Sequence, residues 1–230
     1  MGTEAEKAEV DGPRGARSTL SADYQRDWPA YFDAVADKPP RDTLLRALDA
    51  FDRERPADAA SGRLAAVDLG CGEGRDAREI LRRGWRVVAV DGSAEGIGRV
   101  GAGVALADSA RLYTRVARFE DADFLVALPT AADLINASFS LPFCHPDAFP
   151  CVWAWIGRTL ARGGRFCGQL FGDEDEWRDV RPRSHFTRVQ VETLLAPFAV
   201  EHLEEVRKEG NDATGLPKYH HVFHIVARRA

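Results

Sequence analysis

The chain has 230 residues, 45% of them hydrophobic, and a formal net charge of −5. That length holds one ordinary domain with a sizeable core, and no stretch is long and apolar enough to span a membrane. The acidic balance gives no long-range attraction to nucleic acid, so none is expected as a partner, although a local basic patch would escape this count.

Residues 1–22 are small and polar, with Gly12, Pro13 and Gly15, and predict a disordered tail. The start "MGTEAEKAEV" lacks a secretory apolar core, and Glu6 stands where a myristoylation signal needs Ser or Thr. A cytoplasmic location is expected. "DYQRDWPAYFDAVAD" then begins at a candidate cap, Asp23, and spaces aromatics along a helical face. "RDTLLRALDAFDRE" places Leu44, Leu45, Leu48 and Phe51 on one stripe, and "RPADAASG" reads as a linker. Residues 23–62 thus form a helical N-terminal lid and linker ahead of a main domain at 63–230.

From Leu64 the pattern alternates. "RLAAVDL" is a buried strand, "GRDAREILRR" a helix closed by Gly84, and "WRVVAV" a strand ending at Asp91. A helix near 94–107 is weakened by Gly96, Gly98, Gly101 and Gly103. "LYTRVARF", "ADLINAS" and "GGRFCGQLF" are further strands, with a helix of "FPCVWAWIGRTLARGG" type between the last two. Such alternation implies a parallel sheet covered on both faces. "FAVEHLEEVRKE" and "YHHVFHIVARR" flank the turn-rich "GNDATGLP" and read as an antiparallel pair at the sheet edge. Cys71, Cys144, Cys151 and Cys167 show no zinc spacing, so reduced thiols and no metal site are expected.

The loop in "VDLGCGEGRDA" carries glycines at 70, 72 and 74 after a strand and before a helix. Asp91 follows at the end of the next strand, about 20 residues on, where a carboxylate accepts both ribose hydroxyls. A dinucleotide fingerprint needs its third glycine at 75, which is Arg75. Asp68 and Glu73 flank the loop, and carboxylates there repel a pyrophosphate but suit an ammonium and a sulfonium.

"VDLGCGEGR", "VVAVDGS" and "DLINASFSLPF" resemble, in order, the motifs of the class I S-adenosylmethionine-dependent methyltransferases, over about residues 64–172. The resemblance implies an α/β fold: a Rossmann-like, doubly wound, seven-stranded and mostly parallel sheet with an antiparallel C-terminal edge strand. It implies S-adenosyl-L-methionine as cofactor, with Gly70, Gly72 and Gly74 beneath its methionine and ribose portions and Asp91 on the ribose. Either Glu120 or Asp121, in "RFEDAD", falls where the family places an acid near the adenine amino group. Asp68 and Ser138 join the cofactor candidates. "GQLFGDEDEW" resembles the small-molecule branch, of tellurite-resistance and thiopurine type. That likeness implies a small-molecule methyl acceptor, with a thiol or chalcogen oxyanion placed ahead of other nucleophiles. Nitrogen or oxygen methylation of a natural product or nucleic acid, and a non-catalytic cofactor-binding module, are the alternatives.

"NASFSLPFCHP" leaves the fourth strand at the ligand-binding edge of such a sheet and offers Phe139, Phe143 and His145 as acceptor contacts. "SLPF" is one residue away from the motif of nucleic-acid amino-methyltransferases, Leu141 replacing the first proline. His220 or His221 is the candidate proton acceptor, the alternative being ordinary edge-strand polarity; by strand alternation, His220 and His224 face one way and His221 the other. Tyr31 or Trp28 reads either as core packing or as a lid whose ring meets a sulfonium. Arg41 is a candidate for the methionine carboxylate, against a solvated helix start.

Overall fold

The computed structural model describes residues 26–126, 128–180 and 182–230. The expected tail and the expected cap Asp23 lie outside these residues. The first described helix, α1 (Trp28–Val35), starts instead at Asp27, whose side chain accepts from Ala30 N at 3.0 Å. Such a cap contributes about 1 kcal/mol. Next come α2 (Asp42–Glu54) and α3 (Pro56–Ala60). The segment read as a linker is therefore partly helical. Pro56 opens the helix at the position where its missing N–H has no partner to lose.

The alternating region runs β1 (Ala65–Leu69), α4 (Arg75–Arg82), β2 (Arg86–Asp91), α5 (Ala94–Ala102), α6 (Leu106–Ser109), β3 (Leu112–Val116) and β4 (Ala132–Ala137). The glycine-weakened helix splits in two at Gly103, which caps α5. It continues with α7 (Phe149–Thr159), β5 (Leu160–Gly172), β6 (His185–Phe186), α8 (Arg188–Leu195), β7 (Phe198–Asn211) and β8 (Pro217–Arg229).

The main path of the sheet is β3-β2-β1-β4-β5-β8-β7, and β6 pairs with β5 off that path. The seven expected strands are thus joined by one two-residue extra. β1 to β5 pair in parallel, whereas β8 is antiparallel to both β5 and β7. The reversed strand lies one place in from the edge, which β7 occupies. Charged side chains and a register break between Val200 and His202 protect that edge from further pairing.

One core cluster packs Phe149, Trp153, Ile156 and Phe166 on one face of the sheet. The other joins Leu44, Leu48 and Phe51 of α2 to Ile80, Leu81 and Trp85. The strand order reverses between β1 and β4, and the carboxyl ends of those strands open the crevice where α/β sheets bind ligands. Among the described residues, no helix is long and apolar enough to cross a membrane.

Candidate functional site

The glycine loop leaves β1 at Leu69 and is tied to the next strand by two donors, Gly70 N and Cys71 N, both to Val90 O at 2.7 and 3.0 Å. Gly72 N donates to Asp91 Oδ2 and Ser93 N to Asp91 Oδ1, each at 2.8 Å. Each carboxylate oxygen therefore keeps lone-pair capacity toward the cavity, the arrangement that accepts a diol. Burial pushes the Asp91 carboxyl upward, against the pull of the two N–H groups.

Gly70, Gly72 and Asp91 line a cavity of about 1350 Å³. Gly74 does not line it. It caps α4 with φ +91°, and a Cβ there would stand 2.8 Å from Val100. Its smallness serves helix packing, which corrects its assignment to the cofactor. Glu73 departs from expectation too: Arg78 pairs with its carboxylate and, at 2.6 Å, with its carbonyl oxygen.

Asp68 lies beneath the loop, 1% exposed, rather than on the cavity wall. Asn136 Nδ2 donates to Asp68 Oδ1 at 2.8 Å and to Asp76 Oδ2 at 3.2 Å, while Asp68 Oδ2 has no partner. Burial, then the charge of Asp76, pushes the Asp68 carboxyl up to about 8. The sign follows from linkage. The folded chain holds this proton where the unfolded chain, with an ordinary carboxyl near 4, has lost it. The stability that the proton contributes is complete below the unfolded value and is lost as pH rises through the folded one. Thermal unfolding of the ligand-free protein is expected to show this decline between about pH 4 and pH 8, and Asp68→Asn to flatten it. Equal pH profiles for both proteins would remove Asp68 as the cause.

Glu120 and Asp121 both line the cavity. Glu120 Oε1 accepts from His145 N at 2.8 Å, and Asp121 Oδ2 accepts from Arg118 N at 2.7 Å. His145 also lines the cavity, joined through its backbone to this acidic end.

At the end of β4, Ser138 Oγ donates to Asn136 Oδ1 at 3.0 Å and Ser140 Oγ to Leu69 O. Between them Phe139 has φ +53°, the one non-glycine among the described residues in the left-handed region. Its N–H donates to Gln169 Oε1 at 3.0 Å, and Gln169 Nε2 donates to Thr43 Oγ1 at 2.9 Å. That pairing holds a backbone state costing about 1–2 kcal/mol. Ser138, Phe139 and Phe143 all line the cavity, the last from a short 3₁₀ turn over Leu141–Phe143.

Arg41 stands with its guanidinium 4.5 Å from the centre of the Phe139 ring. It hydrogen-bonds Tyr31, and burial followed by the charge of Arg75 lowers its pKa. Its Nε is buried without a partner, and among the described residues it has no ion pair. A half-buried cation on a cavity wall, with only the charge of Asp76 and the Tyr31 hydroxyl to offset it, suits an anionic ligand group. Tyr31 and Trp28 line the same wall.

The alternation of β8 turns His220 and His224 to the cavity and His221 away from it. His221 is fully buried: its Nδ1 accepts from Glu174 N at 3.1 Å and its Nε2 meets Glu205 Oε1 at 2.9 Å. It cannot reach the cavity, so the structure removes it as a candidate proton acceptor. Ligand atoms of Asp173, Glu174 and His221 lie within 4.8 Å of one another, but both imidazole nitrogens are already engaged. A metal there would have to displace one of those bonds.

Sequence reasoning missed Arg26, Trp177 and Arg183, which also line the cavity, as does Lys218 at the start of the 218–224 strand read as shaping the acceptor pocket. Those three come from irregular segments or a single 3₁₀ turn without a periodic signal. Lys218 shares the alternation of His220 and His224.

Residues 66–164 match the profile of a family described as a methyltransferase domain. No curated protein matches the chain by sequence. Among solved structures, TehB from Haemophilus influenzae superposes with a TM-score of 0.60 at 16% identity, covering 79% of this chain. This chain spans 66% of the length of that one. The 1,6-didemethyltoxoflavin-N1-methyltransferase of Burkholderia thailandensis, with 1,6-didemethyltoxoflavin and S-adenosylhomocysteine bound, gives a TM-score of 0.55 at 25% identity over 98% of this chain and 100% of that one. Magnesium protoporphyrin IX methyltransferase from Synechocystis PCC 6803, with S-adenosylmethionine bound, gives 0.56 at 12% identity over 88% and 91%.

Proposed function

We propose that the chain, whose residues 66–164 match a methyltransferase domain, is an S-adenosylmethionine-dependent methyltransferase that methylates a small planar aromatic molecule held in the ring-walled half of the cavity. The observation that carries this reading is continuity. One cavity runs from Gly70, Gly72 and Asp91 to Phe139, Phe143 and Trp177. The bound cofactor supplies an electrophilic methyl group on a sulfonium. The chain's part is alignment and exclusion of water, which an in-line displacement needs most.

In this reading Asp91 accepts from the ribose hydroxyls, and Gly70 and Gly72 let the backbone approach the cofactor. Glu120 or Asp121 accepts from the adenine amino group, and Ser138 borders the sulfonium. Arg41 with Tyr31 receives the carboxylate. His220 is the proton acceptor. Its Nε2 lies 3.2 Å from Asn211 O, a group that only accepts, so Nε2 carries the proton and Nδ1 keeps a lone pair. Burial and the charge of Lys218 lower its pKa and keep it neutral.

The thiol or chalcogen oxyanion placed first on motif likeness requires little ring surface. The rings of Trp28, Tyr31, Phe139, Phe143, Phe171 and Trp177 favour a planar molecule instead. The Burkholderia structure, with 1,6-didemethyltoxoflavin bound, supports the same preference.

Arg41 supplies the test. Arg41→Met is expected to weaken S-adenosylhomocysteine by roughly tenfold or more, the scale of a hydrogen bond to a charged group. Binding of 5′-methylthioadenosine, which lacks the amino-acid end, should stay unchanged. Equal losses for both ligands in calorimetry would contradict the assignment.

A further inference from the structure

Resting on the assignment of Arg41 to the cofactor carboxylate, we propose that Phe139 is a positioning residue for that end of the cofactor. Its ring is the platform that holds the Arg41 guanidinium while leaving the guanidinium N–H groups to the ligand. The guanidinium carbon lies 4.5 Å from the centre of the ring. A ring face attracts a cation without consuming its edge donors, whereas a carboxylate takes them two at a time.

Other arginines set against rings show the contrast. Arg165 stands 4.8 Å from the centre of Phe51, but its Nε and Nη2 donate to Glu201 and Glu54. Arg99 stands 5.7 Å from the centre of Phe32, with Nε and Nη2 on Glu95 and Nη1 on Asp33. Arg41 has the Phe139 ring, the Tyr31 hydroxyl and a buried Nε without a partner.

The backbone beneath the ring points to the same role. At φ +53° a glycine would relieve the strain, yet the chain carries a phenylalanine there. That ring is only half-buried, and it meets His224 at 6.0 Å and Phe171 at 6.4 Å between centres. Gln169, 1% exposed, fixes the turn by accepting from Phe139 N, and is itself anchored through Nε2 to Thr43 Oγ1. Thr43 lies at the same end of α2 as Arg41, whose own N–H donates to Asp76 Oδ1 at 3.2 Å. A closed circuit results, in which the start of α2 both carries the guanidinium and anchors the turn that presents its platform. Relaxation of that turn to ordinary extended backbone would redirect the Cα–Cβ bond and carry the ring off the guanidinium.

Calorimetry with S-adenosylhomocysteine and 5′-methylthioadenosine, the ligand without the amino-acid end, tests the platform. Phe139→Leu keeps an apolar side chain but no ring face. It is expected to weaken S-adenosylhomocysteine roughly fivefold or more, the scale of a desolvated cation–π contact, and to leave 5′-methylthioadenosine unchanged. Phe139→Tyr keeps the ring and should retain the wild-type preference between the two ligands. Gln169→Met should show the same selective loss as Phe139→Leu, although Gln169 does not line the cavity. Unchanged binding of 5′-methylthioadenosine certifies in each case that the variant is folded. The proposal is overturned if Phe139→Leu or Gln169→Met keeps the full preference, or if Phe139→Tyr loses it as the leucine variant does. Equal weakening of both ligands in Phe139→Leu, the mark of a merely structural residue, would overturn it too. If Arg41→Met itself spares the preference, the assignment of the carboxylate to Arg41 fails and the platform with it, so the two failures are distinct.

Discussion

Asp91→Ala is expected to weaken S-adenosylhomocysteine binding by about 1–3 kcal/mol, roughly five- to 150-fold. Two losses combine. The ribose loses its acceptor, and Gly72 N and Ser93 N lose the carboxylate that fixes the loop against β2. Asp91→Asn keeps one acceptor oxygen and should fall between wild type and the alanine variant. Calorimetry with the three proteins checks the order. Unchanged affinity in Asp91→Ala would take the residue out of the site.

Gly70→Ala is expected to unfold the protein more readily, by about 2–5 kcal/mol. Two causes add. At φ +66° the backbone is in a region that an L side chain rarely adopts, and a Cβ would stand 2.3 Å from Ser140 Cβ. Ser140 cannot withdraw cheaply, because its hydroxyl donates to Leu69 O at the root of the loop. The double variant Gly70→Ala, Ser140→Gly removes the collision and leaves the backbone strain, so about half of the loss should return. Denaturant titration of wild type and both variants measures each part. Full stability in Gly70→Ala would show that the loop relaxes at no expense.

Much of this was legible because it is local. Strand, glycine loop and helix follow one another in "VDLGCGEGRDA", and the acid closing the next strand comes at a fixed interval. Alternation along β8 sorted His220 and His224 from His221, although it could not say that His221 would be sealed by Glu174 and Glu205. α8 went unread despite a signal: Thr187 and Gln190 form a capping box, with Gln190 N donating to Thr187 Oγ1 at 3.3 Å and Thr187 N to Gln190 Oε1 at 2.8 Å. Gly74 was misassigned because a helix-packing glycine and a ligand-facing one look alike in a sequence. The acceptor end was hidden for a different reason. Arg26 meets Asp212, 186 positions away, and Lys218 meets Asp175, 43 positions away. No periodicity links such partners; only the closed sheet brings them together.

The central claim is that the glycine loop and Asp91 hold S-adenosylmethionine rather than a dinucleotide. Calorimetric titration of the purified protein with S-adenosylhomocysteine and, separately, with NAD tests it most directly. Saturable binding of S-adenosylhomocysteine with no heat from NAD is the predicted result. Binding of NAD without S-adenosylhomocysteine would contradict the account, and the reading of the acceptor end would fall with it.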